Sequence, residues 1–132
     1  KTTYTVKKLK TGTKYKFRVR AYKKSGKKNT YGKYSKTLSV TAVPSKVKAK
    51  VSSVTVNSAK LSWSKVSGAT GYVIYMQDEF GDYEKVASTK STSYTKNSLK
   101  SGKKYYFRVR AYKTVDGKNI YGGYKTYSIK VK

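Results

Sequence analysis

Four of the chain's five acids, Asp78, Glu79, Asp82 and Glu84, fall within seven residues around Phe80-Gly81. Clustered carboxylates can hold a cation or share a proton. A calcium loop of the EF-hand kind needs repeated Asp and a distal Glu at fixed spacing, and that spacing is missing here. Catalytic carboxylate pairs need burial to drive their pKa values apart, which neighbours on a solvated hairpin lack. The cluster is therefore expected as a solvated turn. Its functional alternative is a docking contact, because a lone negative loop on a cationic body can meet the basic surface of an adjacent copy. No metal ligand set is expected.

A second group is Tyr106, Arg108, Arg110 and Tyr112, which alternate along one stretch, with Tyr75 and Val73 expected beside them from a neighbouring strand. Tyrosine faces stack on sugar rings or bases, and guanidinium groups grip phosphates or carboxylates. The same alternation also arises without a ligand. Cross-strand aromatic and cation–π pairs stabilise an exposed sheet by a few tenths to about 1 kcal/mol each. An earlier stretch repeats Arg18, Arg20 and Tyr22 but has Lys16 where Tyr106 stands.

Other chemistry is excluded by composition. The 132 residues include no Cys and no His. Disulfides, thiolate nucleophiles, iron–sulfur clusters and structural zinc are thereby ruled out, along with the usual proton shuttle. The serines and threonines have no His base, and no phosphate-cradling G-x-x-x-x-G-K-[ST] loop, G-x-G-x-x-G fingerprint or G-x-S-x-G elbow is present. Neither enzyme activity nor a cofactor is expected. No apolar run approaches the roughly 18 residues that span a bilayer, so membrane insertion is not expected either.

The elements that position the Tyr/Arg stripe come into view through an internal repeat. Residues 2–34 align with residues 92–124 at a constant offset of 90, with 20 identities in 33 positions. The shared centre reads YKFRVRAYK from Tyr15 and YYFRVRAYK from Tyr105; one residue then drops out, and Lys36-Thr-Leu-Ser-Val matches Lys125-Thr-Tyr-Ser-Ile. A period of about ninety residues preceded by only 43 implies the C-terminal half of one repeat (residues 1–43) followed by a whole one (residues 44–132). The chain opens at Lys1 with no signal-like apolar stretch, which suits a processed piece cut from a tandem array. The only proline, Pro44, suits the first residue of a strand because it cannot donate to a ladder.

Alternation and β-branched or aromatic enrichment predict strands at residues 46–51, 60–65, 72–76, 83–87, 91–95, 104–113 and 121–131. Turn signals separate them, among them Ser67-Gly-Ala, Phe80-Gly-Asp and Asp116-Gly-Lys-Asn. Seven short strands in about ninety residues, with no helical period, predict an all-β antiparallel sandwich. Tyr105, Phe107, Val109 and Ala111 would face its core, and the Tyr106 set would face outward.

The run L-x-S-G-K-x-Y-x-F-R-V-R-A from Leu99, Trp63 in K-L-S-W and the G-Y-V-I-Y from Gly71 together resemble a fibronectin type III domain. They are most similar to the lysine-rich versions repeated in secreted and surface proteins of Gram-positive bacteria. The resemblance implies a core position for Trp63 and a corner-tyrosine role for Tyr105 and its counterpart Tyr15. It also implies a non-catalytic extracellular spacer or adhesion module at a bacterial surface. The Arg-Gly-Asp of some animal members is absent, Thr114-Val-Asp-Gly-Lys standing in its place, so integrin binding is not carried over.

Charge points to partners. Thirty-two Lys and Arg against five acids give +27, of which +14 lies in residues 1–43, where there is no acid at all. Such a field concentrates polyanions, with teichoic acid or an anionic polysaccharide as the expected class, in a strongly salt-dependent way. Dispersed lysines also keep sheet edges from pairing with other chains. Nucleic acid would bind only non-specifically, since no reading helix or RNP-type motif is present. Three functions stay open: a spacer with loose attraction to envelope polymers, a glycan- or teichoic-acid-binding module using Tyr75, Tyr106, Arg108, Arg110 and Tyr112, and a structural subunit assembling by strand exchange. The last arises because Leu9, Tyr15, Phe17, Val19, Ala21, Leu38 and Val40 form half a core, to be completed by a neighbouring repeat or another chain. One physical consequence follows from charge alone. Self-repulsion is screened over about 8 Å at physiological salt and about 30 Å at 0.01 M. The melting temperature is therefore expected to rise as salt is added, and a flat response in a calorimetric salt series would contradict this.

Overall fold

A computed structural model describes residues 1–132. The chain divides into two compact units, Lys1–Ala42 and Val43–Lys132. It is all-β and antiparallel throughout.

The first unit has four short strands: β1 Lys14–Phe17, β2 Tyr22–Ser25, β3 Lys28–Tyr31 and β4 Leu38–Thr41. They form two separate pairs, β1 with β4 and β2 with β3. The second unit has eight: β5 Ala49–Val54, β6 Ala59–Trp63, β7 Gly71–Gln77, β8 Tyr83–Thr89, β9 Ser93–Lys96, β10 Lys104–Val115, β11 Lys118–Tyr121 and β12 Lys125–Lys130. One sheet runs β5-β6-β9. The other runs β8-β7-β10, with β11 and β12 pairing successive lengths of β10. Counted by position, this is the expected seven-stranded sandwich, with its last strand in two pieces.

Its core lies between the sheets. Ala59, Leu61 and Trp63 project from one, and Tyr72, Ile74, Phe107, Val109, Ala111 and Ile129 from the other, with Val47, Leu99 and Val131 closing the ends. The period-2 pattern of β10 is realised as expected: Phe107, Val109 and Ala111 are buried while their alternates are half-buried. Trp63 is 7% exposed and meets the Tyr72 ring edge-on at 5.3 Å. The Tyr72 hydroxyl in turn accepts from the Val66 amide at 2.9 Å. Tyr94, from β9, packs against this core, and burial raises its hydroxyl pKa above the ordinary tyrosine value. Two β-bulges, at Ser52 in β5 and Val86 in β8, interrupt the ladders.

Three expectations are corrected. The first strand starts at Ala49 rather than Lys46. Pro44 is not a strand residue but a buried plug five positions earlier, whose carbonyl lies so close to Gly122 that a Cβ there would collide with it. That approach explains the third difference: the expected strand 121–131 is broken between Tyr121 and Lys125, at Gly122-Gly123, where the chain passes over Pro44 and Lys46.

The two units share one register. Lys14, Tyr15, Lys16 and Phe17 face Thr41, Val40, Ser39 and Leu38, as Lys104, Tyr105, Tyr106 and Phe107 face Lys130, Ile129, Ser128 and Tyr127. Tyr22 faces Tyr31 as Tyr112 faces Tyr121. Loop conformation repeats as well, Lys8 and Ser98 both having φ of 58°. The Tyr15 hydroxyl accepts from the Lys10 amide at 2.9 Å and the Tyr105 hydroxyl from the Lys100 amide at 3.0 Å, the geometry of a corner tyrosine. One difference separates them: β10 is continuous over twelve residues, whereas its counterpart is broken at residues 18–21 into β1 and β2. In the second unit that length of β10 pairs with β7, which the first unit lacks.

The corner bond is expected to be worth about 1 kcal/mol where its loop packs on a core. Tyr105→Phe should lower the melting temperature of the second unit by roughly 4–8 °C. Tyr15→Phe should leave that transition in place, and an equal shift from both would contradict the assignment.

Candidate functional site

The outward face of β10 is set by strand geometry. Side chains alternate, so Tyr106, Arg108, Arg110 and Tyr112 share the face opposite Phe107, Val109 and Ala111. Pairing with β7 sets Arg108 across from Tyr75 and Arg110 across from Val73. Val73 is buried although it lies outside the core cluster, so this outer face is itself partly covered.

The cover is made by the arginines and tyrosines themselves. Arg110 donates from Nε and Nη2 to the Tyr75 hydroxyl at 3.0 and 2.7 Å, and its guanidinium lies 4.0 Å from the Tyr121 ring centre. Arg108 donates from Nε to the Thr126 hydroxyl at 3.1 Å and lies 3.6 Å from the Tyr83 ring and 4.6 Å from that of Tyr124. A guanidinium tolerates this environment because it stacks on aromatic faces and is weakly hydrated. Tyr112 packs against Tyr121 at 6.2 Å, with its hydroxyl over the bare Cα of Gly71. Tyr106 stands at the other end, beside Lys104 Nζ at 5.5 Å from its ring. Next to it a shallow cavity is lined by Gln77, Asp82, Tyr83, Tyr106, Arg108 and Thr126.

Tyr75, Arg108 and Arg110 thus come together as expected, with Tyr106 and Tyr112 at the two ends. Tyr83, Tyr121, Tyr124 and Thr126 were not anticipated. Thr126 could have been found from hairpin register, since it faces Arg108 across β10 and β12. Tyr83 could not, because the Val86 bulge resets the alignment of β8 on β7.

Of the acidic residues, Asp82 lines the same shallow cavity as Arg108. Asp78 shapes its own turn, its Oδ1 accepting from the Phe80 and Asp82 amides at 2.9 Å each, while Gln77 Nε2 donates to the Gly81 carbonyl at 2.8 Å. Such a bond pattern is that of an Asx turn. Glu79, Asp82 and Glu84 lie around it on the hairpin joining β7 and β8.

The two-sheet order, the Trp63 core and the corner tyrosine converge with sequence comparison: residues 42–120 match the fibronectin type III domain. The chain belongs to the fibronectin type III family. No curated protein matches it. Among solved structures, a mutated form of the protein FN3tt is 26% identical over 66% of this chain and 94% of its own, with a TM-score of 0.57. The fn3 domain of human collagen alpha-1(XX) is 16% identical over 67% and 83%, with a TM-score of 0.53. Domains d3–d4 of the rat CD45 extracellular region are 18% identical over 96% and 68%, with a TM-score of 0.57. The last two establish likeness of fold. Fibronectin type III domains are in general non-catalytic structural modules, in keeping with the composition of this one.

The Arg110–Tyr75 contact combines a charge-assisted hydrogen bond with a stacked neighbour. A double-mutant cycle on Arg110→Ala and Tyr75→Phe should give a coupling of about 0.5–1.5 kcal/mol in unfolding free energy. Additive losses would mean the contact contributes nothing in solution.

Proposed function

We propose that this fibronectin type III chain is a non-catalytic spacer or adhesion module of a bacterial secreted or cell-surface protein, loosely attracted to anionic envelope polymers. The observation that supports this reading most is the internal satisfaction of the Tyr/Arg face. Each guanidinium of the second unit is engaged by neighbouring hydroxyls and rings, so the ladder serves first to hold the outer face of the sheet. No charged side chain is buried, which leaves the lysines as a diffuse cationic surface. Attraction of that kind is long-ranged and screened by salt. The bacterial and extracellular setting rests on the resemblance of the lysine-rich repeat.

The shallow cavity beside Tyr106 and Arg108 favours a second reading, a glycan- or teichoic-acid-binding module. There a sugar ring would stack on Tyr106 or Tyr83 and a phosphate would take the remaining Arg108 donors. The acidic hairpin of Asp78, Glu79, Asp82 and Glu84 would then serve as a contact with a neighbouring repeat.

Retention on Gram-positive cell walls, with and without teichoic acid, across a salt series separates the two. A spacer is expected to elute at moderate salt from both wall types. The double change Arg108→Ser with Arg110→Ser should then cost no more retention than Lys118→Ser with Lys130→Ser. Retention at 0.15 M salt that vanishes with the teichoic acid, or with the arginine pair alone, would overturn the spacer reading in favour of the binding module.

A further inference from the structure

The first unit presents an apolar face. Leu9, Phe17, Val19 and Leu38 line an open groove with Tyr4 and Val6. Val19 is 68% exposed while its counterpart Val109 is 0% exposed, and Leu38, Val40 and Ala21 are exposed where Tyr127 is half-buried and Ile129 and Ala111 are buried. Tyr4 is 91% exposed, and its stretch is not a strand, whereas Tyr94 sits in β9 against β6. In the second unit, β5 to β8 cover all these positions.

The arginine ladder repeats the pattern. Arg18 lies 3.8 Å from the Tyr34 ring and Arg20 3.9 Å from that of Tyr31, matching Arg108 with Tyr124 and Arg110 with Tyr121. What the first unit lacks is the other side of each contact, the parts played by Tyr83 of β8 and Tyr75 of β7. Positive charge is much lower on the covering side. Residues 44–91, the covering segment, hold seven lysines and four of the five acids, whereas residues 1–43 hold fourteen bases and no acid.

We infer that the open face of Lys1–Ala42 is an acceptor for a polypeptide segment of the Pro44–Ser91 kind, the β5-to-β8 half of another fibronectin type III repeat, which completes a second sandwich on it. Such a segment lays a β7-like strand along residues 17–22, joining β1 and β2 into one strand. It brings tyrosines to Arg20 and Arg18, and it covers Phe17, Val19 and Leu38. A second copy's identical face does not fit, since both would bring +14 and no acid.

The test adds synthetic Pro44–Ser91 to the isotope-labelled full chain and follows amide hydrogen exchange. Exchange at Arg18–Ala21 is expected to slow at least tenfold, with no loss of protection at Arg108–Ala111. Val19→Asp, at a position exposed in the free chain, should abolish the effect. A fusion placing residues 44–91 ahead of Thr2, the position matching Thr92, serves as a second measurement that does not rely on fragment solubility. It should show a second cooperative unfolding transition. No slowing together with no second transition overturns the inference. So does a chain that, by itself, sediments as a dimer with residues 18–21 already protected. Neither arm involves a wall polymer, so the spacer reading stands or falls separately.

Discussion

Pairing of β7 with β10 is the constraint on which the rest depends. It runs from Phe107 to Tyr112, opposite Met76 back to Gly71, and joins the twelve-residue alternating strand β10 to the continuous apolar run of β7. On one face it brings Tyr72 and Ile74 level with Phe107, Val109 and Ala111, which the β5-β6-β9 sheet then caps with Leu61 and Trp63. On the other it sets Tyr75 within reach of Arg110. Remove β7, and nearly the same nine-residue sequence breaks into two short strands with its valine in solvent. A pleated strand has two faces and two edges, and sequence alone cannot bury any of them.

The chain therefore contains its own control. YKFRVRAYK and YYFRVRAYK share local propensity, corner tyrosine and hairpin register, yet differ in what covers them. Local features survive without the cover: the corner bonds of Tyr15 and Tyr105 differ by 0.1 Å, and the arginine–tyrosine stacks on Tyr31 and Tyr34 persist. Strand continuity and burial do not survive. Two levels of organisation are thus separated within one molecule, the short-range turn chemistry and the long-range apolar burial that supplies most of a sandwich's stability.

Sequence reading captured the features that repeat or alternate. The core face of β10, the Trp63 position, the Tyr105 corner and the outward Tyr/Arg set all follow from period-2 patterning or family resemblance. It missed what depends on contacts between distant residues. Pro44 reads as a strand start until Gly122 is seen beneath its carbonyl, and the last strand reads as continuous for the same reason. Tyr83 and Tyr124 were invisible as partners of Arg108 because a bulge at Val86 and the break after Tyr121 set their positions. The carboxylate cluster reads from sequence as a solvated turn, and the Asp78 carboxylate accepts from the amides of its own turn.

Hydrogen exchange on the intact chain, reading the amides of Arg18–Ala21 against those of Arg108–Ala111, tests the dependence on β7 most directly. Both stretches have the sequence Arg-Val-Arg-Ala, so intrinsic exchange rates nearly cancel. The account predicts protection at Arg108–Ala111 close to that of global unfolding and little protection at Arg18–Ala21. Equal protection of the two stretches in a monomeric chain would contradict it, because local sequence would then suffice to order the strand.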